Sequence, residues 1–536
     1  MEYRNPLPSR RIDMGKNVII FSDGTGQAGG LRFDENRSNI YKLYRASRCG
    51  PDSSSIDPRE QIAFYDPGLG SPADGASIGW RTLRWIHNKV AQATGFGITR
   101  NIIDCYAALI QLWEPGDRIY LFGFSRGAYT VRCLGGVIAF CGIPRHPLKQ
   151  PGQPLKIDTG SAQKLAAYAV KHVYQFTYPR KKDAATPRQT FLLETREKLA
   201  RRFRNDCSSE VGSDMANVYP HFIGAFDTVA ALGNPVTTAL FSAAFVLFAA
   251  ALGIAGEVLS LFDTTPVIGW ILGTLTFWHV FLAVLAGAVL IAIGIYFFTH
   301  FKWDFVVPGY GWWPSLKTAH FNDLWMAFYD YDLNPNVGYA RHAISIDENR
   351  SNFQRVQWYS TKLTSRDASG IQWFEQVWFA GVHADIGGGY PENESRLSDI
   401  SLDWMLRWAG LIPGGLKHDQ NVLTRWPYRE GIQHDEVKAG FGLVTTLSGL
   451  TWSEKKRQLS GPGAIMHRSV YERFDLAAAP VYDQMRAYRP ETLATHTDFA
   501  AYYKTNAPFP TQSLQTATAV ADDPAVVAAT LKTVVS

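Results

Sequence analysis

Residues 118–127 read Arg118-Ile119-Tyr120-Leu121-Phe122-Gly123-Phe124-Ser125-Arg126-Gly127, and this stretch decides the fold. The first five residues are an apolar run of strand character, closed upstream by the turn Pro115-Gly116-Asp117. From Arg126 to Phe140 the chain reads as a helix with small residues along it. Between strand and helix lies Gly123-Phe124-Ser125-Arg126-Gly127, a G-x-S-x-G string. The string is weak by itself, but a preceding strand and a following helix are the setting of a nucleophile elbow. Side chains at the two glycines would clash with neighbouring backbone, and the serine is forced into a strained conformation. The competing reading is a strand-to-helix turn that merely needs glycine. A helix starting near Arg126 points its free N–H groups at the serine, which makes the Arg126 N–H a candidate oxyanion donor.

Outward from this elbow the same alternation recurs. Asn17-Val18-Ile19-Ile20-Phe21 is a short apolar run that ends in Ser22-Asp23-Gly24-Thr25-Gly26, a buried strand followed by a turn. Gln61 to Tyr65 reads as a strand stopped by Asp66-Pro67-Gly68, and Ile98 to Trp113 has helical spacing. Phe222–Phe226 and Gln376–Ala380 read as two further strands. Strands alternating with helices predict an α/β fold with a mostly parallel, doubly wound sheet of α/β-hydrolase type.

A nucleophilic serine needs a base, and the base needs an orienting acid, in the chain order Ser, Asp/Glu, His. Asp227 ends the strand at Phe226, and His383 follows an apolar strand and precedes Gly387-Gly388-Gly389. Loops after parallel strands gather on one side of a sheet, so Ser125, Asp227 and His383 are expected to converge there. His221, His342 and His467 lack this strand-then-glycine setting. The mechanism requires a contact of about 2.6–3.2 Å between Ser125 and the His383 ring. The turn after the first strand, through Gly24 and Thr25, is a candidate second oxyanion donor, with Asp23 and Asp385 as supporting acids. Gly24-x-Gly26 lacks the Lys-Ser/Thr of a phosphate loop and the third glycine of a dinucleotide site. This chemistry calls for no metal or organic cofactor.

Composition narrows the class. Lys plus Arg number 53 and Asp plus Glu 48 in 536 residues, a balance too even to argue for nucleic acid. The five cysteines are odd in number and none follows Cys207, which disfavours a disulfide scaffold, and no C-x-x-C pair suggests a zinc knuckle. Met1 to Lys16 is polar and has no signal-peptide core. Hydrophobic residues reach 46% and charged residues only 19%, and the excess is local. Ala239–Gly256 and Val267–Phe298 carry no formal charge, with Asp263-Thr264-Thr265-Pro266 between them. This pattern predicts a membrane-spanning helical hairpin within 239–298, the competing reading being a pair of buried core helices. Arg180–Arg204 holds nine basic and three acidic residues, which predicts that both flanks and the catalytic part lie on the cytosolic side of the membrane. The expected division is 1–235 and 301–410 for the two parts of the hydrolase domain, 236–300 for the hairpin and 411–536 for a C-terminal extension.

Five strings taken together resemble one family. They are Phe21–Thr25, Gly123–Ala128, Phe226–Val229, Ala340–Arg350 and Gly381–Gly389. In this order they are similar to the α/β hydrolase domain of the type VI secretion lipase effectors, family one, from about Asn17 to Asp403. The resemblance implies a phospholipase-like serine hydrolase with Ser125 as nucleophile, Asp227 as acid and His383 as base; Asp385 and Asp347 remain alternatives for the acid. It implies a lipid or acyl-ester substrate, and it leaves export as an effector open. Two other functions compete: an anchored esterase or thioesterase acting on a soluble substrate, and a non-catalytic anchored interaction protein. Neither the acyl position nor the oligomeric state is legible in the sequence.

Overall fold

The computed structural model describes residues 15–24, 36–50, 53, 55–68, 97–147, 158–177, 186–207, 214–229, 245–255, 258, 277–302, 316–321, 331–360, 365–440, 452–505 and 520–524. The apolar runs become the strands β1 (Asn17–Ser22), β2 (Gln61–Asp66), β3 (Arg118–Phe124), β4 (Pro220–Phe226), β5 (Tyr339–Ser345) and β6 (Phe374–Phe379). They form one sheet in the order β2-β1-β3-β4-β5-β6, with every neighbouring pair parallel. The order reverses between β1 and β3, and it is beyond the carboxyl ends of strands at such a switch point that α/β sheets place ligands.

Both faces of the sheet are covered, as parallel sheets require. Val18, Ile20, Ile119 and Leu121 face one core, built with α2 (Gly97–Leu112), α3 (Arg126–Cys141), α4 (Thr159–Tyr168) and α5 (Pro187–Cys207). Ile19, Phe21, Tyr120 and Phe122 alternate onto the other, beneath α1 (Asn39–Ser47) and a later helix, Arg396–Leu411. The period-two alternation of side chains thus divides one sheet between two cores. The Ser38 hydroxyl accepts from the Tyr41 amide at 3.0 Å and caps α1.

A third core joins the C-terminal extension to the sheet. Ile344, Ile346 and Trp378 pack with Met466, Val470, Phe474 and Phe499. The backbone joins there too: Trp378 N donates to Ile465 O at 2.9 Å, and His467 N donates to Trp378 O at 2.9 Å. The extension therefore covers the edge strand β6 and removes an unpaired ladder.

The expected membrane hairpin is corrected. Among the described residues, no helix is long and apolar enough to cross a membrane. Of the first arm, residues 245–255 and 258 are described, and they are helical. Of the second arm, the helix Phe277–His300 is described. Hydropathy marked both arms, but it is a count over residues and does not by itself make a spanning helix. The joint Asp263–Pro266 lies outside the described residues.

Candidate active site

The elbow is built by close backbone approach. A Cβ on Gly123 would lie 2.3 Å from Gly127 O, and one on Gly127 would lie 2.0 Å from Ser22 O. Ser125 sits at the junction of β3 and α3 with φ +58° and ψ −119°, the left-handed side that a non-glycine residue adopts only under constraint. Its N–H donates to Phe226 O at 3.1 Å, which ties the elbow to the end of β4 one residue before Asp227. The Arg126 N–H is the first of α3, a position with no acceptor inside its own helix.

Asp227 is fully buried, with φ +40°, and its N–H donates to Ala343 O at 2.7 Å. His383 opens a short helix, His383–Gly387, and its ring lies between Phe124, stacked at 4.7 Å, and Phe353, edge-on at 5.2 Å. The imidazole Nδ1 meets Asp227 Oδ2 at 2.5 Å. The remaining Nε2 is buried without a hydrogen-bond partner among the described residues, so the Ser125–His383 contact is open in this state. Such contacts commonly tighten only with substrate bound. The His383 backbone N–H donates to Glu348 Oε2 at 3.1 Å, and Glu348 in turn is paired with Arg350 at 2.7 Å.

Asp227 has further partners. Arg457 Nη1 donates to Oδ1 at 2.5 Å and Nη2 to Oδ2 at 3.0 Å, while the Ser345 N–H donates to Oδ1 at 3.0 Å. Burial alone would raise this carboxyl. The Arg457 charge, together with the His383 hydrogen bond, overrides it and holds Asp227 well below the usual carboxylate range.

The other candidates take distinct places. Asp23 is buried at the end of β1 and accepts from Gly24 N at 2.7 Å, Ser38 Oγ at 2.5 Å and the Tyr65 hydroxyl at 2.7 Å. Burial pushes it up to about 6. Gly24 lies against the elbow: a Cβ there would be 2.9 Å from the Phe124 ring and 3.5 Å from Ser125 Cβ. Thr25 lies outside the described residues. Asp385 accepts from Val382 N and His434 N, each at 3.0 Å, and meets His434 Nδ1 at 2.7 Å. Asp347 accepts from Gly381 N at 2.7 Å and from the Tyr488 hydroxyl at 2.8 Å. These two acids fix the loop around His383, and its ring is held by Asp227.

His342 is buried and committed to Thr228 and Gln376, and burial lowers it to about 3. His221 bonds Pro413 O, and His467 caps a helix through the Ser469 N–H. Arg457, Glu348 and Phe353 were missed from sequence. Glu348 lay inside the quoted string Ala340–Arg350, whereas Arg457 carries no local signal. Among the described residues, no group of His, Cys, Asp or Glu is arranged to hold a metal ion.

A family model described as "T6SS, Phospholipase effector Tle1-like, catalytic domain" matches residues 16–270 and 298–408, more than half of the chain. The chain belongs to this Tle1-like family. Ser125, Asp227 and His383 fall inside the Tle1-like match; Arg457 lies beyond its end. The match also skips 271–297, most of the second apolar arm. An uncharacterized protein, YEL023C, of Saccharomyces cerevisiae is 31% identical over 233 residues, covering 43% of this chain and 29% of the yeast protein. A crystal structure of an uncharacterized protein from Pseudomonas aeruginosa aligns at 15% identity and TM-score 0.31, covering 78% of this chain and 48% of that one. The Tle1 effector bound to the VgrG spike of the type 6 secretion system aligns at 15% identity and TM-score 0.27, covering 72% and 53%. Both scores are too low to add to the argument for the fold. The chain spans about half of each of these two structures and under a third of the yeast protein.

Proposed function

We propose that this chain is a serine hydrolase that cleaves an acyl ester of a phospholipid or another lipid. Ser125 Oγ attacks the acyl carbonyl while His383 Nε2 takes its proton. The tetrahedral oxyanion is stabilised by the Arg126 N–H and by the turn at Gly24 and Thr25. Asp23 engages the Gly24 amide at 2.7 Å, a bond that this amide would have to give up to serve the oxyanion. The imidazolium then returns the proton to the leaving alkoxide, and a water repeats the sequence on the acyl-enzyme. Asp227 holds Nδ1 in the tautomer that leaves Nε2 able to accept.

The observation that carries this reading is the state of the imidazole. It is fixed through Nδ1 to a buried carboxylate, and it keeps a buried Nε2 without a described partner beside a strained serine elbow. The phospholipase description of the family supports the lipid ester as substrate. A fluorophosphonate probe should label the wild type and leave Ser125→Ala unlabelled; equal labelling of both overturns the nucleophile. Phospholipid vesicles should be hydrolysed faster than short-chain soluble esters. The reverse preference would assign the same site to a soluble ester or thioester.

A further inference from the structure

We infer that Arg457, supplied by the C-terminal extension, is a positioning residue of the hydrolase site: it clamps Asp227 so that this acid can hold and charge-balance His383. The inference rests on the triad reading above and adds to it a residue 230 positions away from its partner.

The geometry is that of a fork on a carboxylate. Both terminal nitrogens of the guanidinium reach Asp227, one to each oxygen, at 2.5 and 3.0 Å. Two parallel N–H···O bonds fix the carboxylate in rotation as well as in place. Oδ2 is the oxygen that also meets His383 Nδ1, so the plane of the carboxylate sets the direction of the imidazole. The fork is itself anchored, since Nη1 donates to Ser345 O at 3.2 Å and Nη2 to Phe353 O at 2.6 Å. Its side chain is 1% exposed and that of Asp227 is 0%. Water therefore does little to screen the pair.

Charge explains why the site needs it. A fully buried carboxylate facing only a neutral imidazole would be driven towards protonation, and a neutral acid cannot stabilise an imidazolium. Arg350 is committed to Glu348. Arg355 acts on Asp227 through space, and His342 and Glu348 are the other titratable groups facing the pair. Arg457 is thus the cation whose nitrogens bond the acid among the described residues. Because it lies beyond residue 408, the family-matched segment does not contain the complete site.

The test uses the full chain with Arg457→Gln, Arg457→Lys, Asp227→Asn and the double variant Asp227→Asn/Arg457→Gln. The readouts are the pH profile of kcat/KM on an acyl ester and the His383 Nδ1 proton resonance in histidine-labelled protein. Arg457→Gln should lower kcat about a hundredfold, the scale of a misplaced catalytic group. It should also move the acid limb of kcat/KM up by about one pH unit, because without the cation on Asp227 the Asp227–His383 pair as a whole takes up a proton more readily. Arg457→Lys keeps the charge and loses the fork, so the limb should stay in place while kcat falls about tenfold. In the Asp227→Asn background Arg457→Gln should shift nothing further.

A folded Arg457→Gln protein with an unmoved limb and an unmoved Nδ1 resonance overturns the inference. So does an equal shift in the Asp227→Asn background. If Arg457→Gln does not fold, unchanged kcat in Arg457→Lys overturns it, and reduced kcat at an unmoved limb supports it. If the wild type neither labels at Ser125 nor turns over any ester, the hydrolase reading fails on its own. The Nδ1 resonance then still decides the clamp, support requiring that it move in Arg457→Gln.

Discussion

Ser125 at φ +58° and Asp227 at φ +40° are non-glycine residues in a backbone region that costs about 1–3 kcal/mol each. Both stand at the carboxyl ends of central strands, held there by the hydrogen bonds of neighbouring strands. Asp227→Asn should drop kcat about 10⁴-fold, because an amide presents the wrong group to Nδ1, and should lower stability by about 3–5 kcal/mol, because it leaves the Arg457 charge buried without its counter-ion; circular dichroism and single-turnover kinetics separate the two effects. Gly127→Ala should destabilise the chain by on the order of 2–4 kcal/mol, since its Cβ would lie 2.0 Å from Ser22 O. The midpoint of urea unfolding measures this. At this scale the placement of the elbow, Asp227 and His383 just beyond strand ends was legible, because each follows an apolar run and precedes a turn signal. Arg457 was not: one arginine among many, it is recognised only by the carboxylate it reaches.

At the scale of elements, β1 and β2 end in two buried carboxylates, Asp23 and Asp66. Burial pushes Asp23 up to about 6 and Asp66 up to about 7, against the hydrogen bonds that each accepts. A carboxyl raised in the folded state binds its proton more tightly there than in the unfolded chain. Its contribution is complete below about pH 4 and is lost as the pH climbs through 6 and 7. The Tm should therefore fall between about pH 4 and pH 7, with on the order of 3 to 4 kcal/mol at stake per group. Asp66→Asn should flatten that fall; an equally steep fall in the variant would remove Asp66 as its source. Asp227, displaced in the opposite direction, acts only at acid pH and does not offset this window. Strand β5 shows what element reading misses. Arg341 and His342 interrupt its apolar run, yet both are fully buried. Arg341 lies 4.3 Å over the Trp408 ring and 3.7 Å from Glu375, and His342 bonds Thr228. Buried polar residues that neighbouring elements partner, in the case of Arg341 only in part, hide a central strand from a count of apolar positions.

At the scale of the molecule, the extension is seated on the sheet through a shared core. Phe474→Ala should cost about 3–5 kcal/mol, because the ring is fully buried beneath Arg489 and beside Phe499. If the seam is one cooperative unit with the sheet, denaturant midpoints followed by near-ultraviolet dichroism and by esterase activity should fall together; separate transitions would mean that the extension unfolds on its own. The two apolar arms show the limit of reading composition at this scale. Their lack of charge was evident, but helix length and position are settled by folding, and neither arm among the described residues suffices to span a bilayer. The Arg457 clamp has a consequence during synthesis. A ribosome makes Ser125, Asp227 and His383 well before it makes residue 457, so an emerging polypeptide carries its three reacting groups without the cation that balances them. Stalled nascent chains ending before that arginine should take up the activity probe only sluggishly, and full-length released chains at the normal rate, so that the hydrolase would be kept quiet until translation is nearly done.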